Sequence, residues 1–477
     1  MPIAKFKAQR LPKPLSMNPL KSTVSKPALA AEIRACLSLA APLAGAQLAQ
    51  AGTTFFDTVM MGLLGSPILA AGGLGAAVFQ SLVLVSTGVI SAVSPLVATA
   101  FGANQPAVAG KVVRQGWWLV VGLAVPIGLL VWFANVWLMQ LGQDGATVNL
   151  ARPYLHSIVW GVLPALGFAW LRSFVTALSQ PRPVIVIMIA GTLFNVGANY
   201  VLMFGKLGLP ALGLAGIGWA STISLWGMFL ALLLHIRFQP RYRAYQLFRG
   251  LPHLDRRIFF DLMQIGIPIG VLSAVETGMF TITTFLMGQL GTAMLAAHQV
   301  ALQTAVITFM VPLGISLATT VRVGQQIGQQ DTRGARLAGQ VGIGMAALFM
   351  SLMGLLFWLF PERIVALYVD VTNPANAEVV ALAKQFLRVA ALFQIVDGIQ
   401  VSAAGALRGL KDTRIPMLIG IIAYWGIGLT SGYFLGIQLQ LGGVGLWCGL
   451  ALGLAIAAAI LTWRFCTKTC ARTIAEL

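Results

Sequence analysis

Charge is what this 477-residue sequence has least of: Asp, Glu, Lys and Arg make up 9% of it, and only 13 residues are acidic. A soluble domain carries about a quarter of its residues charged. The scarcity, together with 58% hydrophobic residues and a mean hydropathy of +0.85, therefore excludes a large soluble domain. Cysteine is also scarce. Cys36, Cys448, Cys466 and Cys470 form no CxxC pair, and the last two have no histidine nearby, so neither a disulfide framework nor a zinc site is supported. The four histidines are scattered. With no HExxH, no nucleophile elbow and no second carboxylate at catalytic-dyad spacing, a membrane-embedded enzyme is the weaker alternative, and no cofactor is expected.

What the sequence does have is long apolar runs. At ~20 residues per crossing, it reads as twelve spans near 36–62, 72–101, 114–140, 153–179, 184–204, 213–236, 259–289, 296–324, 337–360, 383–407, 416–436 and 443–466. The breaks between them carry turn chemistry, as in LLGSP at 63–67, GANQP at 102–106, QPRP at 180–183 and GLKD at 409–412. The fold class expected is an all-α polytopic membrane protein.

The formal net charge of +18 would suggest nucleic acid in a soluble chain. Here the basic residues mark loops on the cytoplasmic side of a lipid bilayer instead, and no nucleic-acid partner is expected. Placing the N-terminus inside puts 26 of the 31 Lys and Arg on that side, which leaves both termini cytoplasmic and agrees with an even number of spans. The leader contains Lys5, Lys7, Arg10, Lys13, Lys21, Lys26 and Arg34 against the single acid Glu32. It lacks an apolar core ahead of a full-length span, so it is no secretory signal. A cytosolic tail is the simpler reading, an organellar transit peptide the other.

The chain also repeats itself. Residues 42–102 slide onto 268–328 without a gap at an offset of 226, matching Pro42 with Pro268, Gly52 with Gly278, Gly65 with Gly291, Gly88 with Gly314 and Gly102 with Gly328. Each half has six spans, so both start on the same side and the repeat is parallel, about an axis along the membrane normal. This divides the chain into a basic tail (1–34), a first six-helix lobe (35–237), a cytoplasmic linker (238–257), a second lobe (258–466) and a C-terminal tail (467–477). Two pseudo-symmetric lobes around a central cavity, in a monomer, are expected.

Three acids stand inside spans: Asp57, Glu276 and Asp397. An intramembrane carboxylate costs about 2.5–3.5 kcal/mol on insertion scales, which makes each one a functional candidate by default. The repeat does not match them. Asp57 aligns with Thr283, Glu276 with Gln50, and Asp397 falls near Ala165. No Lys or Arg stands in the middle of a span except Arg172, so a structural ion pair is a weak explanation. An acid buried without a partner can carry a proton, while one ringed by oxygen ligands can hold a sodium ion, and the sequence leaves both open.

Asn195 and Asn199 are four apart on one face of span five. Alone they read as helix-helix glue, but with Asp57 they could furnish a cation site. Gln394, one turn before Asp397, could orient it, and Tyr424 and Trp425 are candidates for the wall of the same cavity, equally well explained as interface aromatics. His298 and Gln299, at the opening of span eight, read as a polar cap at a helix end.

These residues lie in stretches that resemble the multidrug and toxic compound extrusion (MATE) family in its NorM-like branch: FFDTVMMGLLG at 55–65, FNVGANYVLMFG at 194–205, GIPIGVLSAVETGMF at 266–280, AAHQVALQ at 296–303 and FQIVDGIQVSAAGALRGLKDTRIP at 393–416. The resemblance runs from about residue 30 to 465. It implies twelve helices in two lobes and export of organic cations and drugs from a bacterial inner membrane in exchange for sodium ions or protons. By the same resemblance, Asp57, Asn195 and Asn199 form the first-lobe cation site, and Glu276 and Asp397 are the second-lobe acids. A flippase for lipid-linked or other amphipathic intermediates is the alternative on such a scaffold; its typically anionic cargo fits the acids poorly.

Overall fold

A computed structural model describes residues 26–248 and 254–475 of the chain. Among them twelve helices are long and apolar enough to cross a bilayer: α1 Pro27–Leu63, α2 Ser66–Gly102, α3 Pro106–Trp132, α4 Gly145–Ala177, α5 Arg182–Phe204, α6 Leu214–Phe238, α7 Arg256–Gln289, α8 Thr292–Gly328, α9 Thr332–Leu359, α10 Pro374–Gly409, α11 Arg414–Gln438 and α12 Gly442–Ala471. The shortest, α5, has 23 residues. At 1.5 Å per residue that is about 35 Å, enough to span the hydrocarbon core. No described residue lies in a strand.

Each expected span falls on one helix, and the third is displaced. It was expected at 114–140, whereas α3 occupies Pro106–Trp132 and a separate short helix follows at Ala134–Gln140. Pro106 sits in the first turn, where its fixed φ suits a helix and its missing N–H costs nothing. Lys111 is exposed and Arg114 Nη1 reaches the Gln246 carbonyl at 2.9 Å, so the early charges are met outside the apolar stretch. The last helix continues to Ala475. Lys5, Lys7, Arg10, Lys13 and Lys21, and linker residues 249–253, lie outside the described residues.

Three of the scarce acids start helices. Asp144 accepts from the Thr147 N–H (2.8 Å), Asp255 from the Arg257 N–H (3.1 Å) and Asp331 from the Gly334 N–H (2.8 Å), each satisfying a donor that the first turn leaves open. The turns also carry the repeat. Gly65 (φ 106°) and Gly291 (φ 125°) are 226 residues apart, as are Asn104 (φ 55°) and Gln330 (φ 61°), so the same left-handed corners recur in both halves.

One apolar core fills α1–α6 and extends to Ile265 of α7, Ile315 and Val321 of α8 and Ala346 of α9; a second, around Phe386, Phe393 and Trp447, and a third, around Leu407 and Phe465, lie in the second half. The halves meet toward the end of the molecule at which α1 begins and α12 finishes, here called the basal end. Gly314 of α8 packs on Ala44 of α1, and its repeat equivalent Gly88 packs on Gly270. Nearer the basal surface α2 and α8 cross at Gly102 and Gly328. A Cβ on Gly328 would lie 2.1 Å from the Thr99 carbonyl oxygen, and one on Gly102 would lie 2.0 Å from that of Gln325, so only glycine permits this approach. Polar ties reinforce the seam. Arg322 of α8 pairs with Glu32 of α1 at 2.6 Å, and Gln325 Nε2 donates to the Ala177 carbonyl (2.9 Å) and Ser179 Oγ (2.8 Å) of the first half.

Candidate functional site

The distal halves of the helices enclose two separate cavities, one per lobe. The first-lobe cavity, about 210 Å³, is lined by Asp57, Asn195 and Ser221 among others, with Gln50, Thr54 and Arg172 on its polar wall. The second-lobe cavity, about 360 Å³, is lined by Glu276 and Asp397 with Phe280, Phe309 and Phe393.

In the first lobe, α1, α5 and α6 bring four side chains into a closed ring. Asn199 Nδ2 donates to Asp57 Oδ1 (2.6 Å) and to Asn195 Oδ1 (3.1 Å), Asn195 Nδ2 donates to Ser221 Oγ (3.2 Å), and Ser221 Oγ donates to Asp57 Oδ2 (3.3 Å). The four-residue spacing of the two asparagines on one face of α5 makes this closure feasible. Asn199 and Asn195 are fully buried, and Asn199 Oδ1 has no hydrogen-bond partner. A buried amide oxygen left open beside a carboxylate is costly for the fold alone. It suits a hard cation, which takes oxygen ligands. No group of three or more His, Cys, Asp and Glu side chains assembles among the described residues, so this set is carboxylate, amide and hydroxyl rather than a transition-metal site. Ser221 was missed in the sequence, where one serine in an apolar span gives no signal.

In the second lobe, α7 and α10 set Glu276 and Asp397 within electrostatic reach of each other. Among the described residues the Glu276 carboxylate makes no hydrogen bond or close ion pair, and Asp397, 5% exposed, leaves Oδ1 unpartnered. One basic residue nevertheless acts on one of these acids at longer range. Arg408, expected in the loop after span ten, lies on α10 within electrostatic reach of Glu276. Its place one residue from the helix end made it look like part of the basic GLKD turn.

The supporting candidates divide. Gln50 lines the first-lobe cavity, but its repeat mate in the other half is the acid Glu276. Thr283, the mate of Asp57, is buried and donates to the Met279 carbonyl of its own helix (2.9 Å), taking no part in the cavity. Gln394 does not orient Asp397: its Oε1 accepts from Thr308 (3.0 Å) and its Nε2 is unpartnered. Tyr424 is buried behind the cavity and hydrogen-bonded to Gln400; Trp425, half-exposed, donates to the Val275 carbonyl (2.9 Å). Neither contributes to the wall. His298 is no end cap. It lies two turns inside α8, fully buried, with Nε2 3.0 Å from Thr284 Oγ1, while Gln299 points outward.

Comparison with known proteins agrees with this architecture. The MatE family model matches residues 42–201 and 268–434, two segments that begin 226 residues apart. A Synechocystis sp. protein named "Probable multidrug resistance protein NorM" is 47% identical over 435 residues, covering 91% of this chain and 94% of its own. One of the same name from Pseudomonas aeruginosa is 44% identical, covering 94% of this chain and 91% of its own. Among solved structures, one titled "Outward-facing conformation of a multidrug resistance MATE family transporter of the MOP superfamily" superposes with a TM-score of 0.85 at 18% identity, over 95% of this chain and 99% of that one.

Proposed function

Since the chain belongs to the MatE family of multidrug efflux transporters, we propose that it exports amphipathic organic cations in exchange for sodium ions or protons. It is an integral membrane protein and a transporter, not an enzyme, and needs no cofactor beyond the ion it exchanges. We place it in a bacterial inner membrane with its termini in the cytoplasm, on the strength of the Lys and Arg distribution, and read it as a monomer because one chain supplies both lobes. With the basal end cytoplasmic, the lobes are closed toward the cell and the cavities face outward.

The observation that carries the reading is the contrast between the two cavities. In the first lobe Asp57, Asn195, Asn199 and Ser221 offer converging oxygens with one amide oxygen unspent, the chemistry of a small coupling cation. In the second lobe Glu276 and Asp397 stand among three phenylalanine rings, the chemistry of a large, weakly hydrated organic cation held by charge and by ring faces. The coupling ion and the drug must favour different states of the transporter for exchange to occur, because a ligand indifferent to the two states shifts nothing. A cation entering the first lobe therefore releases the drug by changing the lobes' preferred arrangement rather than by displacing it from one shared carboxylate.

The test is dye efflux from proteoliposomes with a sodium gradient or a pH gradient imposed separately. Export driven by one gradient names the ion. Asp57→Asn should abolish the response to the gradient, while Glu276→Gln and Asp397→Asn should weaken dye binding as well as transport. Normal efflux by all three variants, or export driven by neither gradient, overturns the reading.

A further inference from the structure

Beneath the first-lobe cavity, within the seam between the lobes, lies a small cavity of about 40 Å³ that none of the roles above uses. Arg172 of α4 and Arg408 of α10 both line it, one from each lobe, and no carboxylate does. Both guanidiniums are permanently charged. Arg172 Nη1 donates to Gln47 Oε1 at 3.2 Å, and the Arg408 guanidinium has no hydrogen bond or close ion pair among the described residues, only longer-range interactions with Glu276 and Tyr424. Two like charges on one small, partly desolvated space repel each other unless a counter-charge is present.

The wall shows which donors remain for such a charge. Thr87 and Ser91 spend their hydroxyl protons on the carbonyls of Leu84 (2.8 Å) and Gly88 (2.6 Å), and Thr320 spends its own on Ser316 and Gly405. The hydroxyl of Ser94, buried on the same wall, makes no hydrogen bond among the described residues. Three donors, Arg172, Arg408 and Ser94, thus line a space large enough for one monatomic anion or a few waters and far too small for a drug or a lipid headgroup.

We infer that this cavity is an anion site, in which Arg172 and Arg408 hold a chloride-sized inorganic anion between the lobes. The anion bridges α4 and α10 across the seam and so favours the arrangement in which the basal end is closed. The inference does not depend on the identity of the exported compound or the coupling ion.

The experiment is thermal unfolding of the purified full chain in detergent, titrated from sodium gluconate to sodium chloride at constant sodium and ionic strength. The wild type should show a saturable rise in Tm with chloride. Arg408→Gln and Arg172→Gln should each raise the half-saturating chloride concentration about tenfold or more, the loss of one charge-assisted hydrogen bond. Arg408→Lys, which restores the charge, should recover most of the affinity and guards against a folding defect in the glutamine variants. A wild-type Tm that does not depend on chloride means the cavity holds water alone and overturns the site. An equal rise in wild type, Arg172→Gln and Arg408→Gln marks a general salt effect and overturns it as well.

Discussion

The buried pair between Glu32 and Arg322 should act as a latch on the basal seam, and its strength can be worked from the contacts. Arg322 donates to both carboxylate oxygens, Nε to Oε1 at 2.9 Å and Nη2 to Oε2 at 2.6 Å, the bidentate geometry in which guanidinium and carboxylate bind best. Removing one partner of a buried pair costs about 3–5 kcal/mol, because the other is left uncompensated. The Arg322 side chain is 19% exposed, so the lower bound of about 3 kcal/mol applies. The two residues belong to opposite lobes, so this cost falls on the basal-closed state alone, and Glu32→Gln should increase the population of basal-open molecules about 150-fold. Cys36, one turn along α1 and 1% exposed, is a native reporter. Its maleimide labelling rate, followed by peptide mass spectrometry to separate it from Cys448, Cys466 and Cys470, should rise by that factor. The repeat supplies the control. The equivalent positions in the other half are Ile258 and Leu96, so Glu32→Ile with Arg322→Leu copies a pair that the fold already tolerates and should return labelling toward the wild-type rate. A Cys36 rate within threefold of wild type in Glu32→Gln would refute the latch.

Three further outcomes are expected. Asn199→Ala leaves the Asp57 carboxylate without its 2.6 Å donor and removes the unspent amide oxygen, so the sodium or proton concentration that half-drives efflux should rise tenfold or more, by the ~1.5–3 kcal/mol of a hydrogen bond to a charged group. Gly328→Ala places a methyl 2.1 Å from the Thr99 carbonyl oxygen, and the overpacking, about 1–3 kcal/mol, should lower the Tm and raise Cys36 labelling, whereas Gly344→Ala, which meets nothing within 4 Å, should do neither. At the start of α4, hydrogen bonds from Thr147 hold the Asp144 carboxyl below its ordinary pKa. A lowered folded-state pKa means stabilisation that is present above the unfolded value and is lost as pH falls through the folded one. Amide exchange at Thr147 should therefore accelerate, relative to its intrinsic rate, only as the pH falls below the usual carboxylate range, and in Asp144→Ala that pH dependence should vanish.

The fold was largely legible because a membrane allows so few solutions. Apolar length gave the twelve spans, and an ungapped match of 42–102 onto 268–328 gave the duplication before any contact was known. The third span slipped because hydropathy continues through Phe133 while the helix does not: the apolar residues of Ala134–Gln140 belong to a second, short helix. At the site, what could be read was what composition makes rare, an acid or a pair of amides in an apolar helix. Ser221 and Arg408 escaped for opposite reasons. A serine is too common in such helices to stand out, and an arginine beside a basic turn is absorbed into the loop it borders. His298 was misplaced because α8 begins at Thr292, about one turn before the expected start at 296.

The repeat explains the fold and, by its failures, the division of labour. Gly65 and Gly291, Asn104 and Gln330, Gly88 and Gly314, and Gly102 and Gly328 all match, and these are positions of backbone geometry. The interior charges do not match: Asp57 aligns with Thr283, Glu276 with Gln50, Glu32 with Ile258 and Arg322 with Leu96. Duplication thus preserved the hinge-like seam while each lobe kept different chemistry, so the two cavities are not two copies of one site. On the reading proposed above, ion and drug then occupy separate lobes with no lining residue in common. Coupling has to pass through the seam where the lobes pack, chiefly the contacts of α1 with α8, of α2 with α7 and of α2 with α8. A seam substitution such as Gly314→Ala, which forces α8 off Ala44 and touches neither cavity, should therefore lower efflux per ion transported while leaving dye affinity measured at equilibrium near its wild-type value. If instead dye affinity fell with no change in that ratio, the cavities would have to communicate directly and the seam would be only structural.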